Sequence, residues 1–128
     1  MHFGEHVTID GYGGSRELLD DQAVVQGALA HLVQALGMKP ITEVQVVHVP
    51  GNGAKDPGGW SGFVMIEESH ISMHTFPLRG FVSADVYTCR NGLDVDFIET
   101  YFKETFGLTD VEKNFLKRGT RYPETNLS

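Results

Sequence analysis

Glu67-Glu68-Ser69-His70-Ile71-Ser72-Met73-His74-Thr75-Phe76-Pro77 lies at the middle of the chain, and its pattern decides the architecture. From Ile71 to Thr75 apolar and polar residues alternate, the period-two signature of a strand with one buried face. Ser61 to Glu67 upstream and Phe81 to Cys89 downstream are two more such runs. On the last, Phe81, Ser83, Asp85, Tyr87 and Cys89 share one face, and Val82, Ala84 and Val86 share the other. The links between these runs are too short for helical crossovers, so the strands pair antiparallel.

Outward from this centre, His6 to Asp10 alternates Val7 and Ile9 with polar neighbours until Gly11, Gly13 and Gly14 end it. From about Asp20 to Leu36, Val24, Val25, Ala28, Leu29, Leu32, Val33 and Leu36 recur at helical spacing, with Gly37 as the stop. Thr42 to Val49 is rich in β-branched residues and predicts a strand stopped by Pro50, while Gly51, Asn52, Gly53, Pro57, Gly58 and Gly59 predict a loop. Asp94 can cap a second helix with Phe97, Ile98, Tyr101, Phe102 and Phe106 as its apolar stripe, and Val111 to Leu116 predicts a final strand. The expected fold is α+β, a two-layer sandwich of a mainly antiparallel sheet with two helices on one face. Its 128 residues fit a single domain, 1–128.

A hydrophobic share of 41% and a charged share of 21% are those of an ordinary globular protein. The net charge of -7 argues against nucleic acid and anionic membrane surfaces as partners. No segment approaches the roughly 18 apolar residues that span a bilayer. With Cys89 as the only cysteine and no basic-then-apolar run after Met1, a cytoplasmic location is expected.

The central stretch also carries the chemistry. Glu68-Ser69-His70, Ile71-Ser72-Met73 and His74-Thr75-Phe76-Pro77, with Ser61-Gly62 before and Thr88-Cys89 after, resemble in order and spacing the bacterial and archaeal S-adenosylmethionine decarboxylases. The resemblance extends to the opening strand, the Arg16 to Asp20 entry to the first helix and the Lys117-Arg118-Gly119 ending. It implies a proenzyme that cuts itself between Glu68 and Ser69, giving a β chain of residues 1–68 and an α chain of residues 69–128.

A decarboxylase needs an electron sink for the carbanion left by carbon dioxide, and no standard side chain supplies one. A covalent pyruvoyl group made from Ser69 would, with no external cofactor. Making it requires the Ser69 hydroxyl to attack the Glu68 carbonyl carbon, replacing the amide by an ester. β-Elimination then frees Glu68 as a new carboxyl terminus, and the dehydroalanine left at position 69 hydrolyses.

By resemblance, His74 moves protons during the elimination, Ser61 assists processing and Cys89 reprotonates the product carbon. Imidazole and thiol groups suit such transfers near neutral pH. Singly, each has a plainer reading, since a lone cysteine near a strand end is usually an inert buried thiol. Their joint occurrence at the family spacing reverses that. His70, His74 and Cys89 lack Cys-x-x-Cys or helical His-x-x-x-His spacing, so no metal is expected. Neither Gly-x-Ser-x-Gly nor the Gly-Lys-Ser/Thr of a phosphate loop is present.

Two positions depart from the family pattern. Leu78 stands where the family has a glutamate that bonds the substrate ribose, and His48 or Val49 stands where it has a phenylalanine that stacks on adenine. The Gly51 to Trp60 loop is longer, and Trp60 is a candidate replacement for the stacking ring. An intact catalytic half beside an altered nucleoside half favours another small-molecule amine, L-ornithine or L-arginine, within polyamine synthesis. Glu67, Asp56 and Asp85 are candidate carboxylates for the distal cation of such a substrate. The alternatives are a true S-adenosylmethionine decarboxylase and a catalytically silent partner of an active relative. The resemblance also implies a homodimer of cleaved protomers, packed sheet against sheet with the active sites at the interface.

Overall fold

Alternation in sequence becomes alternation in burial. On β4 (Ser69–Phe76), Ile71, Met73 and Thr75 are buried while Ser72 and His74 face the other way. A computed structural model describes residues 2–53 and 55–126 of the chain. Its six strands are β1 (Gly4–Tyr12), β2 (Gln45–Pro50), β3 (Gly58–Ile66), β4, β5 (Phe81–Thr88) and β6 (Asp110–Arg118). They form one sheet in the order β2-β3-β4-β5-β1-β6, every neighbouring pair antiparallel.

The helices are α1 (Arg16–Leu19), α2 (Gln22–Ala35) and α3 (Val95–Phe106). Leu29 and Leu32 of α2 and Ile98, Phe102 and Phe106 of α3 pack against Val7, Ile9, Val64, Ile71 and Val86 of the sheet. Gly62 allows the close approach of α2, since a Cβ there would come within 2.6 Å of Leu29 Cδ1. The result is the expected two-layer α+β sandwich, with no helix among the described residues on the opposite sheet face. That face carries His6, Ser61, Phe63, Met65, His70, Ser72, His74, Asp85 and Tyr87, all exposed or half-buried. No helix among the described residues is long and apolar enough to cross a membrane.

Local differences from the sequence reading have local causes. Residues 16–19 form a separate turn of helix, capped by Ser15, because the Asp21 carboxylate caps α2 by accepting from the Ala23 and Val24 amides. Gly58 and Gly59, expected in a loop, are strand: they pair with Pro50 and Val49 and lengthen the β2–β3 hairpin. Pro50 ends β2 from inside, at the sheet edge where its missing N–H costs no ladder bond.

Candidate active site

Ile66 pairs with Ser69 across the β3–β4 ladder, so Glu67 and Glu68 are the whole of the connecting turn. The Ser69 hydroxyl oxygen accepts a hydrogen bond from the Cys89 backbone amide at 3.1 Å. Ser69, Cys89, Glu67 and Glu68 line a hollow of about 340 Å³ together with Lys39 and Arg90. The Cys89 thiol is free and half-buried.

Ser61 and His74 sit directly opposite each other on β3 and β4, with Ser61 Oγ 2.7 Å from His74 Nδ1. Five residues of ladder separate this pair from Ser69, roughly 16 Å at the ~3.3 Å rise of a strand. The structure therefore brings Ser69 to Cys89 and Ser61 to His74 but keeps the two pairs apart within one chain.

The positions that depart from the family pattern are gathered in one place. Leu78 is exposed on a 3-10 turn (Pro77–Arg79) and shares a hollow of about 190 Å³ with His48, Val49, Arg16 and Asp20. The Trp60 ring meets the edge of His48 at a centroid distance of 4.9 Å, and its Nε1–H donates to Asp20 Oδ1 at 3.1 Å. Sequence reading missed Asp20; only the 40-residue contact with Trp60 marks it, and no local pattern encodes that. Asp56 instead serves its own loop, its Oδ1 accepting from the Gly58 amide at 2.8 Å.

Asp85 is engaged too. Its Oδ2 lies 2.7 Å from His6 Nε2 and 3.0 Å from His70 Nε2, and Ser72 donates to Oδ1. Burial alone would push its pKa up, but the Ser72, His6 and His70 hydrogen bonds outweigh that and hold the carboxyl below its ordinary value. Two imidazoles and a carboxylate within 4.8 Å are a donor set that a divalent ion could use. Arg118 Nη1, however, donates to His6 Nδ1 at 2.9 Å, which fixes Nε2 as the protonated nitrogen facing Asp85. The cluster is accordingly a hydrogen-bonded network built around one carboxylate, with a resident cation already beside it.

The fold, together with the chain's family relationships, defines a class, the pyruvoyl-dependent carboxy-lyases, which form their cofactor from an internal serine by self-cleavage. The S-adenosylmethionine decarboxylase family model matches residues 5–119. The S-adenosylmethionine decarboxylase proenzyme of Archaeoglobus fulgidus is 32% identical over 119 residues, covering 93% of this chain and all of that one. That of Brevibacillus brevis is 30% identical over 123 residues, covering 93% and 82%. The crystal structure of the adenosylmethionine decarboxylase from Aquifex aeolicus superposes with a TM-score of 0.80 at 25% identity, over 98% of both chains. The chain belongs to the S-adenosylmethionine decarboxylase family. Its residues fit a serine-derived pyruvoyl group, since Ser69 follows directly on a tight turn with its hydroxyl oriented by an amide and a thiol residue alongside.

Proposed function

We propose that the chain cleaves itself between Glu68 and Ser69 and that the product decarboxylates S-adenosylmethionine, with Ser69, Cys89, Ser61 and His74 as the catalytic residues. The observation that carries this reading is the pairing of Ser69 with Cys89 and of Ser61 with His74 in a chain whose relatives, matched over 82% and 100% of their lengths, are S-adenosylmethionine decarboxylase proenzymes. Once formed, the pyruvoyl group supplies the electron sink that the reaction requires. Cys89 is placed to hand a proton to the product carbon. Ser61 orients the His74 imidazole, which moves protons during processing.

The roughly 16 Å between the two pairs supports a homodimer, because proton transfer needs the groups within hydrogen-bond reach or one water of each other. A second copy, laid face to face on the sheet face opposite the helices with its strands reversed, would bring its Ser61 and His74 to the first copy's Ser69 and Cys89. Two equivalent sites follow from one two-fold axis.

A second substrate reading, L-ornithine or L-arginine, is favoured by one observation: the hollow at His48 and Leu78 offers no acceptor on the Leu78 side chain for ribose hydroxyls. Asp20, in that hollow, is then the carboxylate best placed for a distal cation, ahead of Glu67, Asp56 and Asp85. The relatives' names favour S-adenosylmethionine, and kcat/KM for the three substrates on the processed enzyme decides. Faster turnover of ornithine or arginine would overturn the first reading of substrate, and intact mass showing only full-length chain would overturn the cleavage.

A further inference from the structure

Among the described residues, positive backbone φ occurs at nine glycines and at one other residue, Glu68, with φ 61°. The chain thus places glycine wherever a positive φ is demanded, except at the residue that supplies the scissile carbonyl. Tight turns of this kind ordinarily take Gly, Asn or Asp at such a position, because any Cβ crowds the following carbonyl oxygen, a cost that glycine avoids and that Asn and Asp offset by local hydrogen bonding. Glutamate has neither the freedom of glycine nor the short polar side chain that lets Asn and Asp tolerate the conformation.

The surroundings hold this conformation from three directions. Ile66 and Ser69 close the turn by strand pairing, the Glu67 amide donates to the Lys39 carbonyl at 3.0 Å, and the Cys89 amide fixes the Ser69 hydroxyl at 3.1 Å. A disfavoured backbone survives only where its neighbours over-determine it.

We infer that Glu68 is a positioning residue for self-cleavage, its left-handed backbone holding the scissile peptide in a strained ground state that the acyl shift relieves. The inference rests on the reading of Ser69 as the processing serine. In the shift, a bond forms between Ser69 Oγ and the Glu68 carbonyl carbon, the bond from that carbon to the Ser69 nitrogen breaks, and the hydroxyl proton ends on the freed amine. The link from the Glu68 carbonyl to Ser69 Cα becomes one atom longer through Oγ. The two-residue turn is then closed through a longer ester link, and Glu68 can return to negative φ.

The test uses the full chain made by cell-free synthesis, followed by mass spectrometry as fragments appear, with Glu68→Gly, Glu68→Asn and Glu68→Ala compared. The same three changes are made in a Ser69→Ala chain, which cannot cleave, and its thermal melting is recorded. Glycine removes the strain, so Glu68→Gly should slow cleavage roughly tenfold and raise the melting temperature of the Ser69→Ala chain by about 3–6 °C. Asparagine should fall between, and alanine, which keeps the strain but loses the carboxylate, should leave the melting temperature near the parent's and slow cleavage less than glycine does. Parental cleavage by Glu68→Gly, an unchanged melting temperature, or equal slowing by Glu68→Ala would each overturn the inference. Failure of the unsubstituted chain to cleave would instead remove the processing assignment, with the melting series still deciding whether Glu68 is strained.

Discussion

His74 receives its orientation from Ser61, whose hydroxyl lies 2.7 Å from Nδ1 at the directly opposed position of the neighbouring strand. If this imidazole carries the proton of the elimination step, its loss should leave the chain arrested as an ester. His74→Ala should therefore slow fragment separation about a hundredfold or more. Hydroxylamine, which cleaves esters, should then split the arrested chain at position 68. Ser61→Ala, which removes only the orienting hydroxyl, should slow separation about tenfold; parental rates in both variants would refute the pairing's role.

The distance between the half-sites leads to a mixing experiment. Ser69→Ala and His74→Ala should each be inactive alone. Co-produced, they should recover about a quarter of parental decarboxylation, because half the dimers are mixed and each holds one complete site. No recovery would mean that all four residues act within one copy.

Cys89 is expected to act only after cleavage. Its contact with Ser69 is through the backbone amide, so Cys89→Ala should retain that hydrogen bond, produce both fragments at the normal rate and lose most turnover. A variant that decarboxylates like the parent would reduce the thiol to packing.

Leu78→Glu tests specificity directly. Restoring an acceptor at the mouth of the His48 hollow should raise kcat/KM for S-adenosylmethionine about tenfold or more, the usual worth of a hydrogen bond to a charged group. The same change should leave ornithine and arginine turnover within about twofold. An equal response from all three substrates would detach Leu78 from nucleoside recognition.

Asp85 predicts a pH dependence of stability. Its pKa is lowered in the folded chain by Ser72, His6 and His70 against the opposing effect of burial, so the stabilisation is fully present above the unfolded value of about 3.9. It is lost as pH falls through the lower folded value. Melting temperature should drop below about pH 4, and Asp85→Asn should flatten that limb while lowering stability at neutral pH. An unchanged acid limb in Asp85→Asn would show that other carboxylates set it.

Much of the sheet was legible because strand periodicity is local: β4 and β5 declare their faces residue by residue, and the short links between the middle runs leave only antiparallel pairing, although the turn proved tighter than the Glu67 to Ile71 gap in the sequence reading. What escaped was long-range. That β1 inserts between β5 and β6 depends on pairings of residues some 70 to 115 positions apart, such as Val7 with Val86 and Phe115. His6 joins His70, Ser72 and Asp85 only once that insertion has occurred, so Asp85 was identifiable as a candidate while its pairing with His6 was not. Leu78 and His48 were singled out by family pattern, but their shared hollow arises from the hairpin that Gly58 and Gly59 extend.

That insertion also governs what a cut at residue 68 could release. β1 belongs to the first fragment, yet it is hydrogen-bonded on both edges to strands of the second, and the buried Glu5 carboxylate accepts from the amides of Gly92 and Leu93 across the same divide. The severed chain would be woven rather than merely touching, a strand of one piece threaded between two of the other. Dilution alone would not part the pieces. Only denaturant would, and once separated they would have to re-pair as two molecules what one chain had assembled by itself.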